Sequence, residues 1–215
     1  AIGRVLAGLT GLEHLGHDSA GVGWVSPPVS DGRWVFRVEK RLGTAADLRN
    51  GLEESLRGPP KAFKTPWALG HVRYATRGAV NASNAHPHVS HGGEVLLVHN
   101  GTVPDLEALQ AEFPVPSLGH PLTLPAMVND SAYLADLLER FVSEGGGTPP
   151  IAALRRLYPF LVGTETVLVA AFRSDPGSLY ALSWGRRPLV LGFAGGTAFF
   201  ASAAEALLPH ARELR

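Results

Sequence analysis

The order of the apolar segments constrains this chain more than any other feature of its sequence. After one amphipathic segment at the start, short segments rich in Val, Trp and Phe follow, amphipathic segments fill the middle, and short apolar segments return after residue 164. Consecutive short strands build antiparallel sheets, and amphipathic helices then cover the outer faces of those sheets. The order therefore predicts an α+β domain with two antiparallel sheets and helices outside them.

Hydrophobic periodicity predicts the helices. Ile2, Val5, Leu6, Leu9 and Leu12 recur at helical spacing and predict a helix over 2–12. The clearest helix covers 130–143, where Asn129 or Asp130 is suited to cap the first turn. Further helices are predicted over 45–57, 104–112, 149–158 and 203–208.

Eight segments have the composition of strands and are bounded by turn residues. They cover 20–25, 33–38, 67–75, 94–98, 165–173, 178–184, 187–193 and 197–202. The stretches Thr76–Ser90 and 114–125 lack periodicity and are predicted loops. No interdomain linker is evident, so we expect residues 1–215 to form a single domain.

Charge and cysteine content exclude several classes of function. The chain has 19 Lys and Arg against 19 Asp and Glu, so it lacks the basic surplus of a nucleic-acid binder. No run of 18 apolar residues suggests a membrane span, and the first residues do not resemble a signal peptide. Cysteine is absent, which excludes disulfides and thiolate metal sites. We expect a cytoplasmic protein with no nucleic-acid or membrane partner.

The densest group of polar residues runs from 70 to 101 and follows two predicted strands. Arg73 at the end of one strand can grip a carboxylate with two parallel hydrogen bonds, or it can be an ordinary surface ion pair. Asn100-Gly101 ends the other strand. This pair can form a hairpin turn, or the side-chain amide of Asn100 and the backbone N–H of Gly101 can donate to a developing oxyanion. A helix rather than a strand is predicted next, which weakens the hairpin interpretation.

Two further features carry open alternatives. His86, His88, His91 and His99 can hold a metal, but their spacing favours loop histidines that bind the backbone through hydrogen bonds. Asp130 begins a predicted helix, so it can serve as a cap or receive a ligand ammonium.

Five stretches, in this order, resemble the class II glutamine amidotransferases, which use an N-terminal nucleophile. They are LEHLGHDSAG (12–21), GHVRYATRG (70–78), NAHPH (84–88), HNG (99–101) and NDS (129–131). The NAHPH and DSAG stretches favour the glucosamine-6-phosphate synthases of this family. The Arg73-Tyr74 pair is more typical of the amidophosphoribosyltransferases.

The resemblance implies a four-layer αββα sandwich of N-terminal nucleophile hydrolase type that hydrolyses L-glutamine to glutamate and ammonia. It assigns Arg73 to the α-carboxylate of glutamine, Asp130 to its α-ammonium, and Asn100 with Gly101 to the oxyanion hole. Tyr74, Thr76 and His86 are expected close to the substrate. Arg77 replaces a histidine common in the synthases. No metal or cofactor is implied.

The family nucleophile is a cysteine at the start of a short first strand, and no cysteine occurs in this sequence. The resemblance therefore leads us to expect a domain that lacks its first strand, and also its last hairpin, and is inactive alone. It implies an ammonia-accepting synthase domain outside this sequence and a homodimer in the full-length protein. The expected acceptor is a sugar phosphate, with phosphoribosyl pyrophosphate as the alternative. A glutamine-binding relative without catalysis also remains open.

Overall fold

The computed structural model describes residues 1–28, 32–56, 65–75, 79–115 and 129–214. The helices are α1 (Ile2–Gly11), α2 (Ala45–Leu56), α3 (Leu106–Glu112), α4 (Asp130–Ser143) and α5 (Pro150–Leu157). The first strands are β1 (Ser19–Ser26), β2 (Val35–Leu42), β3 (Ala68–Arg73), β4 (His88–Val89) and β5 (Val95–Asn100). The later strands are β6 (Thr166–Phe172), β7 (Asp175–Trp184), β8 (Val190–Ala194), β9 (Thr197–Ala201) and β10 (Glu213–Leu214).

The first sheet has the order β2-β1-β3, and all of its pairs are antiparallel. Successive strand residues point to opposite faces, so Ala20, Val22 and Trp24 of β1 share one face. That face packs against the apolar sides of α1 and α2 in one buried cluster. These two helices therefore form an outer layer on the first sheet.

The second sheet has the order β4-β5-β6-β7 and is also antiparallel. Leu97 of β5 and Phe172 of β6 are fully buried against α4 and α5. The helical face predicted for 130–143 supplies Leu134, Leu137, Leu138 and Phe141 to this cluster, each of them fully buried. A second helical layer thus covers the second sheet.

The remaining faces of the two sheets pack against each other. Val25 and Leu69 of the first sheet share a buried cluster with Leu96, Val98 and Val169 of the second. The layers are therefore helix, sheet, sheet and helix, which confirms the predicted αββα sandwich.

A third, small sheet has the order β10-β8-β9. Phe200 of β9 packs against the cluster between the two large sheets, whereas its neighbour Ala201 packs against the cluster under α1 and α2. Because adjacent strand residues point to opposite faces, β9 lies in the same layer as the first sheet.

The structure corrects three local predictions. The helix predicted over 203–208 is only a short 3₁₀ turn, Ala204–Ala206, which packs under Gly8 and Gly11 of α1. The predicted loop Thr76–Ser90 contains β4, a two-residue strand paired with β5. The strand predicted over 187–193 begins only at Val190, because a turn at 185–186 and an irregular stretch at 187–189 precede it.

The other predicted helices and strands are present with shifted ends, and β10 was not predicted. Most of the predicted loop 114–125 lies outside the described residues. No helix within the described ranges is both long and apolar enough to cross a membrane.

Candidate active site

A cavity of about 1530 Å³ opens where β3, β9, the end of β5 and the start of α4 meet. Six of the seven predicted site residues line it: Arg73, Tyr74, His86, Asn100, Gly101 and Asp130. The seventh, Thr76, lies outside the described residues, as does Arg77. The structure thus brings together residues that are up to 57 positions apart in the sequence (130 minus 73).

Backbone packing fixes Arg73 at the cavity wall. The N–H of Asp18 donates to the Arg73 carbonyl at 3.0 Å, and the Asp18 carboxylate accepts from the Ala75 N–H at 2.8 Å. A Cβ at Gly16 would lie 2.6 Å from the Arg73 carbonyl carbon, so only glycine permits this approach. Arg73 is 8% exposed, whereas Tyr74 beside it is 60% exposed. The guanidinium is therefore buried at the cavity and the phenol is at the surface.

Asn100 and Gly101 do not form a hairpin turn. The strand that follows them in the chain and pairs with β5 is β6, more than 60 residues later, and α3 comes first. The hairpin interpretation is therefore wrong. Gly101 packs so tightly that a Cβ would lie 2.2 Å from Thr166 Oγ1 and 2.8 Å from His99 Nε2. Only glycine therefore fits at this position, which lines the cavity.

Asp130 is the first residue of α4 but not its cap. Asn129 is the cap, because its Oδ1 accepts from the backbone N–H groups of Ser131 and Ala132. The Asp130 carboxylate instead accepts from the Val103 N–H at 3.2 Å and the Ser131 N–H at 2.8 Å. A carboxylate in the first turn is also favoured by the helix dipole. A negative charge is thereby fixed at the cavity, against the loop after Gly101.

Four histidines lie close together at the cavity: His86, His88 and His99 are buried, and His71 is partly buried. The ring centroids of His71 and His86 are 4.2 Å apart, and those of His86 and His88 are 4.5 Å apart. His86 Nδ1 accepts the backbone N–H of His99 at 3.3 Å, which is the backbone-binding role favoured by the sequence. Burial lowers the pKa of His71 to about 4 and also lowers the pKa values of His86, His88 and His99.

The lowered pKa values leave the four histidine rings neutral near pH 7. His91 does not belong to the group, since it lies in the exposed turn between β4 and β5. Within the described ranges, no three His, Cys, Asp or Glu side chains are arranged to hold a metal ion.

A hydrogen-bond chain joins Asp130 to β5. Ser131 Oγ donates to Asp130 Oδ1 at 3.2 Å and lies 3.0 Å from His99 Nδ1. Because the hydroxyl proton goes to the carboxylate, His99 must donate to Ser131, so its proton is on Nδ1. His99 Nε2 then accepts from Thr166 Oγ1 at 3.4 Å. The start of α4 and the end of β5 are thus coupled through one neutral imidazole.

Sequence reasoning missed three residues of this region: His71, Ser131 and Arg187. His71 follows a regular strand pattern, and Ser131 is a common residue type in a first helical turn. Arg187 lines the cavity and donates to the Asn100 side chain, yet it directly follows a turn and lies 87 residues after Asn100. Only the tertiary pairing of β6 with β5 and β7 brings it there.

Curated proteins give similarity across nearly the whole chain. A glutamine–fructose-6-phosphate aminotransferase (isomerizing) from Aeropyrum pernix is 35% identical over 99% of this chain, and one from Streptomyces coelicolor is 34% identical over 99%. The matched region is 31% of the length of each relative, so the chain spans about a third of these proteins. A scan of protein-family models found no match.

Solved structures agree at the level of fold. A glutamine phosphoribosylpyrophosphate amidotransferase from B. subtilis superposes with a TM-score of 0.67 at 20% identity, covering 95% of this chain and 40% of that one. The structure described as the allosteric regulatory enzyme of purine biosynthesis gives a TM-score of 0.69 at 20% identity, covering 96% of this chain and 40% of that one. Across nearly its whole length, the chain is therefore similar in sequence to one part of the glutamine–fructose-6-phosphate aminotransferases, and its fold is similar to that of the amidotransferase structures.

Proposed function

We propose that this chain binds L-glutamine in the cavity and is the glutaminase domain of an enzyme that passes the released ammonia to a sugar phosphate. The observation that carries the proposal is the placement of Arg73, Asp130, Asn100 and Gly101 around one cavity. The sugar phosphate is favoured because the curated relatives named above are fructose-6-phosphate aminotransferases.

The charges of the cavity suit a free amino acid. The guanidinium of Arg73 matches the α-carboxylate, and the carboxylate of Asp130 matches the α-ammonium. Binding both ends of the zwitterion would fix the side-chain amide in one place. Asn100 and the Gly101 N–H are then suited to stabilise the oxyanion formed when that amide is attacked.

The cavity is larger than one amino acid requires, since small-molecule pockets are typically roughly 300–1,000 Å³. Among the described residues, β3 and β9 each pair with a strand along one side only, and both line the cavity in the same layer. Unpaired edges within a layer are suited to accept an added strand. This arrangement supports the proposal that a nucleophile-bearing strand belongs between β3 and β9.

Calorimetric titration of the chain with L-glutamine tests the binding step. We expect saturable binding that Arg73→Ala and Asp130→Ala each weaken by at least about tenfold, because each removes a charge-assisted hydrogen bond. Arg155→Ala, an exposed arginine of α5, is the matched control and should bind like the parent chain. Absence of glutamine binding in a folded chain with the added strand would contradict the proposal.

Fusing a short strand that begins with cysteine to Ala1 tests the catalytic step. Ala1 lines the same cavity as β3 and β9, so a segment fused in front of it ends at the cavity. We expect release of glutamate and ammonia from glutamine, and loss of both when the added cysteine is replaced by alanine. Glutamine binding without hydrolysis would instead favour a non-catalytic glutamine-binding relative, the alternative consistent with the absence of cysteine from these 215 residues.

A further inference from the structure

The side chain of Arg187 makes two hydrogen bonds at the edge of the cavity. Its Nη1 donates to Asn100 Oδ1 at 2.8 Å, and its Nε donates to the carbonyl oxygen of Glu165 at 2.8 Å. Glu165 directly precedes β6, and Asn100 ends β5, which pairs with β6. The guanidinium therefore joins the ends of two neighbouring strands at the position of the proposed oxyanion donors.

A second set of contacts holds the turn that directly precedes Arg187. The backbone N–H of Arg186 donates to Glu165 Oε2 at 2.5 Å. Gly185 has a φ of 82°, and a Cβ there would lie 3.0 Å from the Glu165 carboxylate. The turn thus wraps around Glu165, which fixes the backbone of Arg187 as well as its side chain.

The chemistry of arginine determines which way the Asn100 amide points. A guanidinium has only donors, so the Asn100 atom that it contacts must be the carbonyl oxygen. The amide NH₂ of Asn100 is then on the side away from Arg187. Without this partner, rotation about the last side-chain bond would exchange the oxygen and the nitrogen at modest cost.

We propose that Arg187 is a positioning residue that holds the Asn100 carboxamide with its NH₂ turned toward the substrate amide. This inference rests on the proposed glutaminase function, since the substrate carbonyl is the acceptor that gives the orientation its purpose. A flipped Asn100 would present a carbonyl oxygen to a developing oxyanion and repel it. Arg187 does not need to touch glutamine to have this effect.

The first test needs no substrate. In ¹⁵N-edited NMR spectra of the chain, Arg187→Ala should shift the two Asn100 side-chain NH₂ resonances, because it removes the partner of Oδ1. Arg186→Ala is the matched control, since only its backbone contacts Glu165, and it should leave those resonances in place. Unchanged Asn100 resonances in Arg187→Ala would overturn the proposal, whatever the function of the chain.

The second test is kinetic and uses the chain with the added cysteine strand. Loss of one oxyanion donor typically lowers kcat by about 10²–10³-fold. We expect Arg187→Ala to lower kcat by at least about tenfold, and by no more than the loss of the donor itself, while KM changes less than about threefold. Arg187→Lys, which restores one donor, should recover part of kcat, and Arg186→Ala should behave like the parent.

A double-mutant cycle separates positioning from a general structural role. If Arg187 acts through Asn100, then Arg187→Ala should have little further effect on kcat in an Asn100→Ala background. Additive losses would overturn the proposal. A failure of the proposed function would look different. The parent chain with the added strand would then show no glutaminase activity, while the NMR test would still report on the contact between Arg187 and Asn100.

Discussion

At the scale of single residues, three glycines allow the close backbone contacts on which the cavity depends. Gly16 lies against the backbone of Arg73, and Gly101 lies against the side chain of Thr166. Gly21 is the tightest, because a Cβ there would lie 1.9 Å from the carbonyl oxygen of His86. The segment that carries His86 is thereby seated directly on the central strand of the first sheet.

Replacing Gly21 with alanine should destabilise the protein. The added methyl meets a backbone carbonyl that cannot rotate away, so we expect a loss near the upper end of the roughly 1–3 kcal/mol typical of overpacking. Urea unfolding measures this change. Gly3→Ala is the control, since a Cβ at that helical position meets nothing within 4 Å and should raise stability by about 0.5–1 kcal/mol. Equal stability of the parent and Gly21→Ala would contradict the close approach.

Residues at the ends of strands were accessible to sequence reasoning, whereas their partners were not. Arg73 and Asn100 were found because a polar residue after an apolar strand is a recognisable pattern. His71 and Arg187 have no such pattern. They reach the cavity because β3 pairs with β1 and because β6 lies between β5 and β7, and neither pairing order can be read from local sequence.

At the scale of elements, the first turn of α4 anchors the loop that follows β5. Asp130 accepts the N–H of Val103, and the single O–H of Tyr133 one turn later is shared between the carbonyl oxygens of Leu109 and Phe113 at the end of α3. The segment from Val103 to Phe113 is therefore held to α4 at both ends. Displacing the start of α4 would move the loop beside Gly101 as well.

Asn129→Ala should reduce stability by about 1 kcal/mol, the usual cost of losing an N-cap side chain. The substitution leaves the N–H groups of Ser131 and Ala132 without their cap acceptor and also removes a hydrogen bond from Nδ2 to the carbonyl of Asn84. Chemical denaturation provides the measurement. Asn129→Ser keeps a capping oxygen, so it should recover most of the loss. An alanine variant as stable as the parent would show that the cap is unimportant.

Most helices and strands were predictable because their apolar periodicity is set by the layer that each one covers. The exceptions are short. The 3₁₀ turn at 204–206 is apolar because it packs under α1, not because it continues as a helix. Strands β4 and β10 have two residues each, too few for alternation to be visible, and are defined by their partners β5 and β8.

At the scale of the whole molecule, the fold buries three histidine side chains, His86, His88 and His99, and partly buries a fourth, His71. Burial is the largest cause of the lowered pKa of His71, His86, His88 and His99, and the neighbouring rings of the group add to it for the first three. In the unfolded chain, each of these histidines takes up a proton near pH 6.5. Acidification therefore favours the unfolded state, which binds protons that the native state excludes.

Asp136 has the opposite effect on the stability of the protein when the pH is lowered. Burial raises the pKa of its carboxyl group to about 6. Between about pH 6 and pH 4 the native protein therefore binds a proton at Asp136 that the unfolded chain does not, so this group favours the native state as the pH falls. One such group offsets part of the effect of four histidines without reversing it.

The stability of the protein should accordingly fall as the pH is lowered from about 6.5 to 4. His71, with a native pKa of about 4, contributes a slope of about 1.4 kcal/mol per pH unit across this window, or roughly 3 kcal/mol in total. Urea unfolding at several pH values measures the slope.

His71→Phe keeps a stacked ring but removes the titrating group. The free energy of unfolding of this variant should therefore fall less steeply with decreasing pH, by about 1.4 kcal/mol per pH unit. Val98→Ala is the control, because a buried apolar truncation between the sheets lowers stability about equally at every pH. A His71→Phe variant with the slope of the parent would show that the buried imidazole is not the source of acid sensitivity.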